Sequence, residues 1–350
     1  MQQAGCTVNV YTTTANGPVE LAVAANTTVC VDHVMVTYFK RITKDHTHFS
    51  PLLLWRLWRE VRGFDVVHIH AWWNLVSVFS CFIAVIRKVP VVVSPRGTLS
   101  AYSFTNRSSF SKRTMQVMLG KYLLRRSFIH VTSQKEGHDI YALIHPKKLM
   151  NIPNFVVLGA PPGPLVKPKD SRLELLFLSR IEEKKGLDIL FNALESVTIP
   201  YHLTIAGDGE PGYVANLKAL AARQNIYGNI SWIGFQGGNK FELLAGMDIM
   251  VLTSHDENFG NVVIESLSVG TAVLISKNVG LADYVSENNL GWVCELEADN
   301  IRSFIELIAN ATSARADIRS RAPGRIQTDY REDNLAKRYM DMYKQVINHG

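Results

Sequence analysis

Short runs of apolar and β-branched residues alternate with amphipathic stretches along the whole chain, the pattern of parallel sheets joined by crossover helices. In the first half, strands are predicted at 7–13, 66–70, 91–94 and 128–132. A helix starts at Ser50-Pro51, where serine suits the cap and proline the first turn, and it carries Leu53, Leu54, Leu57 and Val61 on one face. The apolar run 75–86 falls short of the roughly 20 residues that span a bilayer and is closed by Arg87-Lys88-Val89-Pro90, so it reads as a buried helix. At 161–170 the sequence becomes Pro-Pro-Gly-Pro-Leu-Val-Lys-Pro-Lys-Asp, a linker that neither a helix nor a central strand would tolerate. A domain boundary is placed there. Beyond it the alternation restarts, with strands at 173–178, 202–206, 230–233, 249–252 and 272–276 and helices at 187–196, 213–223, 240–247, 261–269, 300–311 and 331–346. The expected class is α/β, two Rossmann-like doubly wound domains, with ligands at the strands' carboxyl ends facing the cleft between them.

Composition adds exclusions. A chain of 350 residues, 47% hydrophobic and 19% charged, is globular, and its length suits two domains. Cys6, Cys30, Cys81 and Cys294 are scattered and form no CxxC pair, which argues against a disulfide framework or a zinc site and for a reduced, cytoplasmic setting. Met1-Gln2-Gln3-Ala4-Gly5 enters a strand pattern without the basic and apolar regions of a signal peptide. The net charge of +6 and pI near 9.0 suit an anionic partner. No nucleic acid is expected. Between positions 107 and 126, six basic residues (Arg107, Lys112, Arg113, Lys121, Arg125, Arg126) and no acid are interleaved with apolar ones. Such a basic amphipathic helix either lies on anionic lipid, at the inner face of a membrane, or packs with a solvated basic face.

Three segments of the second half put polar residues just after strands. Leu178-Ser179-Arg180-Ile181-Glu182-Glu183-Lys184-Lys185-Gly186 offers Arg180 as a planar fork and Lys185 as a point charge for a diphosphate. Ala206-Gly207-Asp208-Gly209-Glu210 ends a strand with two glycines that permit a tight turn and close ligand approach. It lacks the spacing of a dinucleotide fingerprint. Most informative is Glu257-Asn258-Phe259-Gly260-Asn261-Val262-Val263-Ile264-Glu265, two glutamates flanking a glycine loop and a helix start. Amides at Phe259, Gly260 and Asn261 would form an anion-binding helix N-terminus. Glu265, flanked by Ile264 and Leu267, needs partners if buried. Two vicinal ribose hydroxyls would serve; so would a neighbouring lysine or arginine.

These residues resemble the retaining GT-B glycosyltransferases of family four, whose signature is a glutamate pair with seven residues between. The likeness extends to Asp65-Val66-Val67-His68-Ile69-His70-Ala71-Trp72, Ser94-Pro95-Arg96-Gly97, Ile152-Pro153-Asn154 and Gly270-Thr271-Ala272-Val273. It implies an acceptor-side domain over 1–160, a nucleotide-sugar domain over 161–330, and a helix at 331–350 packing back toward the first. It also implies that Arg180 and Lys185 hold the donor diphosphate, that Glu265 holds the ribose, and that Glu257 with the amides of Phe259 and Gly260 addresses the transferred sugar or its phosphate. Gly207 and Gly209 are donor-side as well. No Asp-x-Asp is present to bind a metal, so the two cations would compensate the departing nucleoside diphosphate. No cofactor is expected besides the nucleotide-diphosphate sugar substrate, and the acceptor would be a glycan or a lipid-linked acceptor of bacterial polysaccharide or envelope synthesis.

Two departures stand out. Relatives open with a strand and a glycine-rich loop, whereas residues 1–6 resemble the tail of the family's first helix, so a start some tens of residues upstream is expected. Arg96 stands where many relatives carry a histidine, and would bind an anionic acceptor or sugar. His68 and His70 lie on one face of one strand; a metal pair is possible, but no third ligand is near in sequence, and His70, closer to the strand end, is preferred as a substrate neighbour. Competing readings are an epimerase or phosphorylase on the same fold, and a nucleotide-sugar-binding pseudoenzyme.

Overall fold

The computed structural model describes all residues except 1, 3, 4, 18, 44, 46, 101, 103–118, 161–171 and 350. The proline-dense linker and most of the basic segment 107–126 therefore lie outside the described residues. The chain forms two compact units, Met1–Pro153 with Glu332–Gly350, and Asn154–Arg331. The division falls at Pro153/Asn154 rather than near 161, because Val156 and Leu158 pack on the second unit's core and the Gly159 amide donates to Ser268 Oγ at 2.9 Å.

In the first unit, β1 (Asn9–Thr13) is followed by the short β2 (Ala15–Asn16) and β3 (Val19–Glu20), then β4 (Thr28–Val31) and β5 (Val34–Phe39). β1 runs parallel to β5 and β5 antiparallel to β4. Helix α1 (Pro51–Glu60) leads to β6 (Val67–His70), α2 (Leu75–Ile86), β7 (Val91–Ser94), α3 (Lys121–Arg126), β8 (Phe128–Val131), α4 (Gln134–Leu143) and β9 (Lys148–Asn151). Strands β6 to β9 form a parallel sheet in that order. Proline does occupy the first turn of α1, but Ser50 does not cap it: its hydroxyl donates to the Lys40 carbonyl at 2.7 Å. Leu53, Leu57 and Val61 are buried, and so is one face of α2.

In the second unit the strands β10 (Leu173–Leu178), β11 (Tyr201–Ala206), β12 (Ile230–Gly234), β13 (Ile249–Leu252), β14 (Ala272–Ser276) and β15 (Gly291–Cys294) form one parallel sheet in the order β12-β11-β10-β13-β14-β15. Between them run α5 (Leu187–Leu194), α6 (Pro211–Arg223), α7 (Lys240–Ala245), α8 (Asn261–Ser268) and α9 (Ala282–Glu287), followed by α10 (Ala298–Asn310) and α11 (Thr312–Asp329). The central strands β10, β13 and β14 are near-continuous apolar runs, as expected where helices cover both faces. Strand order reverses between β10 and β13, which makes their carboxyl ends the switch point of the sheet.

The last helix, α12 (Glu332–His349), belongs to the first unit. Leu335, Tyr339, Met342 and Val346 recur at helical spacing along its buried stripe, over Val92, Phe128 and Ile152. Among the described residues no helix is long and apolar enough to cross a membrane.

Candidate active site

Two loops meet at the switch point of the second sheet. After β10, a short 3-10 turn at Glu183–Lys185 presents two lysines; after β13, the chain presents Asp256 and Glu257. They interlock: Lys184 pairs with Asp256 at 3.0 Å and Lys185 pairs with Glu257. The His255 amide donates to the Lys184 carbonyl at 2.9 Å, and Thr253 Oγ1 donates to the Gly186 carbonyl at 3.1 Å. Gly186 adopts φ +65, and a Cβ there would fall 2.1 Å from the Thr253 carbonyl oxygen, so only glycine lets the loops close this far. Lys185 is buried, and a buried ammonium needs its counter-charge; Glu257 supplies it.

Glu257 is itself anchored by its backbone. Its amide donates to the Asn278 carbonyl at 3.1 Å and its carbonyl accepts from the Gly280 amide at 2.8 Å. Three residues on, Gly260 at φ +92 turns the chain into α8. The amides of Phe259, Gly260 and Asn261 have no hydrogen-bond partner among the described residues. The Phe259 side chain is buried edge-on to Tyr330, so only its backbone faces the loop. Asn261 Oδ1 accepts from Asn154 Nδ2 at 3.0 Å. Glu265, in the second turn of α8, takes Lys240 Nζ at 2.9 Å.

Arg180 differs from Lys185. Its side chain is 78% exposed and pairs at 2.5 Å with Glu182 in its own loop. That loop is set by Gly207 and Gly209 from the adjacent strand end. A Cβ on Gly207, at φ +150, would lie 1.9 Å from the Ser179 carbonyl oxygen, and one on Gly209 would lie 2.3 Å from that of Ile181. The Ile181 amide donates to the Asp208 carbonyl at 2.8 Å. The space that a side chain would need at these glycines is thus taken by the Arg180 loop, a reason for glycine that a ligand alone would not give.

In the first unit, His70 ends β6 and stacks on His68, ring centroids 4.4 Å apart. Both nitrogens of His68 are engaged, with Tyr343 OH at 2.7 Å and Ser94 Oγ at 2.6 Å. Ser94 continues to His130 Nδ1 at 2.6 Å, and His130 Nε2 reaches the Ile152 carbonyl at 2.8 Å. A carbonyl only accepts, which orders the whole chain: His130 donates to Ile152, Ser94 to His130, His68 to Ser94, and Tyr343 to His68. This order holds with both imidazoles neutral, and the Tyr339 hydroxyl oxygen, 3.3 Å from His130 Nε2, shares the proton that His130 donates to Ile152. Burial pushes His130 down to about 4 despite the Ile152 bond, and burial with the neighbouring His70, His130 and Arg96 lowers His68. His70, at the strand end, is lowered by the surrounding protein and then by Arg96. Arg96 follows β7 at φ +56, a strained setting for a non-glycine residue. Its loop is held by Glu136, a buried carboxylate that accepts from the Gly97 amide at 2.8 Å and the Thr132 amide at 2.8 Å.

Comparison with known proteins identifies the type of this site. Residues 1–159 match the family Glycosyltransferase Family 4, and residues 165–325 match Glycosyl transferases group 1. The chain belongs to the GT-B glycosyltransferases. It is similar to the lipopolysaccharide core biosynthesis glycosyltransferase LpsE of Rhizobium meliloti, 25% identical over 201 residues that cover 56% of this chain and 58% of LpsE. The fold is shared with HepE of Anabaena, solved in complex with UDP and glucose (TM-score 0.70, 18% identity, 89% of this chain and 87% of that one). It is shared also with sucrose-phosphate synthase of Thermosynechococcus elongatus (TM-score 0.76, 16% identity, 100% and 91%). The chain spans about half the length of the curated relatives it matches.

Of the residues expected from sequence to form the donor site of this GT-B chain, Lys185, Glu257, Gly260 and Asn261 gather at the switch point. Glu265 lies a helical turn further along α8 with a lysine for partner, the arrangement weighed against ribose binding. The sequence reading missed Lys184, Asp256 and Lys240. The doubled lysine and the doubled acid were visible as pairs, but only adjacency of β10 and β13 brings them together. Both ring nitrogens of His68 are engaged, by Tyr343 and Ser94, so in this arrangement it offers no free lone pair beside His70. Among the described residues no three His, Cys, Asp or Glu side chains gather as metal ligands.

Proposed function

We propose that this GT-B chain transfers a sugar, with retention and without a metal ion, from a nucleoside-diphosphate donor to a glycan or lipid-linked glycan. The observation that carries the reading is the Lys185–Glu257 pair at the sheet's switch point, directly before three unpartnered amides at the start of α8. Lys185 has two further N–H groups for the donor diphosphate, and Arg180, exposed on its glycine-held loop, would swing from Glu182 to the same phosphates. Those cations and amides compensate the charge that develops as the bond from the anomeric carbon to the diphosphate breaks. The acceptor oxygen attacks from the same face and its proton passes to the departing phosphate oxygen, so no side-chain nucleophile is required. Glu257 addresses the sugar, Glu265 the nucleoside, and His70 and Arg96 the acceptor.

Transfer from a panel of nucleotide sugars tests this. Arg180→Ala and Lys185→Ala should each lower kcat/KM about 10–150-fold, the loss expected for charge-assisted bonds of roughly 1.5–3 kcal/mol. EDTA should leave the wild-type rate unchanged. A rate that vanishes with chelator and returns with magnesium or manganese would overturn the metal-free reading, and unchanged kinetics in both variants would remove these cations from the site.

A further inference from the structure

The outer face of the first unit carries an aromatic and cationic surface that the donor and acceptor chemistry leaves unused. Helix α1 turns Leu53 and Leu57 inward and sets Leu52, Trp55 and Trp58 outward, 42%, 54% and 43% exposed. These three recur every third residue and so form one stripe on the helix. On α2, which packs beside α1, Ile86 is 48% exposed. A lone exposed apolar residue needs no explanation, but two tryptophans on one stripe do.

Cations frame the rings. The Arg59 guanidinium lies 4.8 Å from the Trp55 ring centroid and that of Arg87 lies 4.9 Å from the Trp58 ring. Arg62 and Lys88 are exposed at the ends of the same two helical segments. Among the described residues none of Arg59, Arg62, Arg87 and Lys88 pairs with a carboxylate. Arg87 Nε is buried without an acceptor. The acid of α1, Glu60, is already spent on Arg56 at 3.0 Å and on the Tyr11 hydroxyl. The surface is therefore apolar at its rings and positively charged around them. Indole rings settle at the headgroup level of a bilayer, and uncompensated guanidinium groups beside them match lipid phosphates.

We infer that the α1 face, through Trp55 and Trp58 with Arg59, Arg62 and Lys88, docks the protein on an anionic lipid bilayer. This goes beyond sugar transfer and does not depend on it, since docking is measured without donor or acceptor. It also differs from docking through the basic segment 107–126.

Sedimentation of the full chain with phosphatidylcholine vesicles, and with vesicles of equal parts phosphatidylcholine and phosphatidylglycerol, provides the test. Binding to the anionic vesicles is expected, weakened but not abolished by salt, because only the ionic part is screened. The triple variant Arg59→Gln, Arg62→Gln, Lys88→Gln should bind roughly a hundredfold more weakly at low salt, from about 1 kcal/mol per basic residue. Trp55→Ala with Trp58→Ala should lose at least about tenfold at any salt. Both sets are exposed, and an unchanged melting temperature checks folding; if one set melts early, quenching of wild-type tryptophan emission by brominated lipid decides instead. Three results overturn the inference: no binding to anionic vesicles, equal binding by wild type and both variants, or loss only when Lys112, Arg113, Arg125 and Arg126 are neutralised. Absence of vesicle binding together with self-association that Trp55→Ala abolishes would make the face a protein interface.

Discussion

Two glutamates that look equivalent in the sequence meet different partners, and their chemistry divides accordingly. Glu257 faces a buried lysine in the loop before α8, whereas Glu265 lies five residues beyond Gly260, more than one turn into the helix, and faces Lys240 at its far side. Glu257→Gln neutralises the counter-charge of Lys185 and leaves its N–H groups more available to phosphate. Binding of a plain nucleoside diphosphate should therefore hold or tighten while turnover with the full donor falls. Glu265→Gln should instead weaken nucleoside diphosphate binding. Calorimetry with the diphosphate beside steady-state transfer separates the two, and the opposite assignment of losses would mean that α8 meets the donor by another face. Sequence alone paired these residues and named Lys185, because their spacing and chemistry are local. It could not name Lys184, Asp256 or Lys240, whose meaning arises only when β10 lies beside β13 and α7 beside α8.

Elements of the second unit were legible because they are buried on both faces and write their period plainly: the bounds of β10, β13 and β14 agree with the expected ones residue for residue. Where the pattern was weak, elements were missed. Helix α11 carries Pro323 and Gly324 in its interior, a local stop signal that tertiary packing of Ile318, Ala322 and Ile326 overrides. In the first unit the short strands β4, β5 and β9 went unseen, β4 and β9 being half-solvated and four residues long. The two glycines after β11 suggest close ligand approach in the sequence, yet their sterics are backbone on backbone. Gly207→Ala should consequently cost at least about 2–3 kcal/mol, since a positive φ and an overlap with the Ser179 carbonyl add together. Gly228→Ala, where a Cβ would meet nothing within 4 Å, should be near neutral. Thermal unfolding of the two variants side by side measures the contrast; equal melting temperatures would show that the Arg180 loop shifts freely and is not held by Gly207.

Across the first unit, one hydrogen-bonded chain ties elements remote in sequence: Tyr343 of α12, His68 of β6, Ser94 of β7, His130 of β8 and the Ile152 carbonyl at the end of the unit's main segment. No local pattern could announce it, because it exists only when α12 folds over the sheet. Its protons are ordered only while both imidazoles are neutral, and the groups around it cannot accept a charge easily. Arg96, Arg338 and His70 repel one, and Tyr339 and Tyr343 stay protonated, the latter held up by burial. The sign follows from linkage. His130 has its folded pKa lowered to about 4 against an ordinary 6.5, so the unfolded state binds more protons between these values. The stabilisation is complete above about pH 6.5, declines as pH falls toward 4, and amounts to on the order of 3 kcal/mol for His130 at about 1.4 kcal/mol per pKa unit. His68 acts in the same direction. Amides of α12 and of β8 should therefore lose protection together between pH 6.5 and 5 in hydrogen exchange, after correction for the intrinsic rate, while β13 and β14 of the second unit keep theirs. His130→Gln, which cannot titrate, should flatten that dependence. If α12 keeps its protection at pH 5, or if the variant shows the same slope as the wild type, the histidine chain does not govern how the last helix is held.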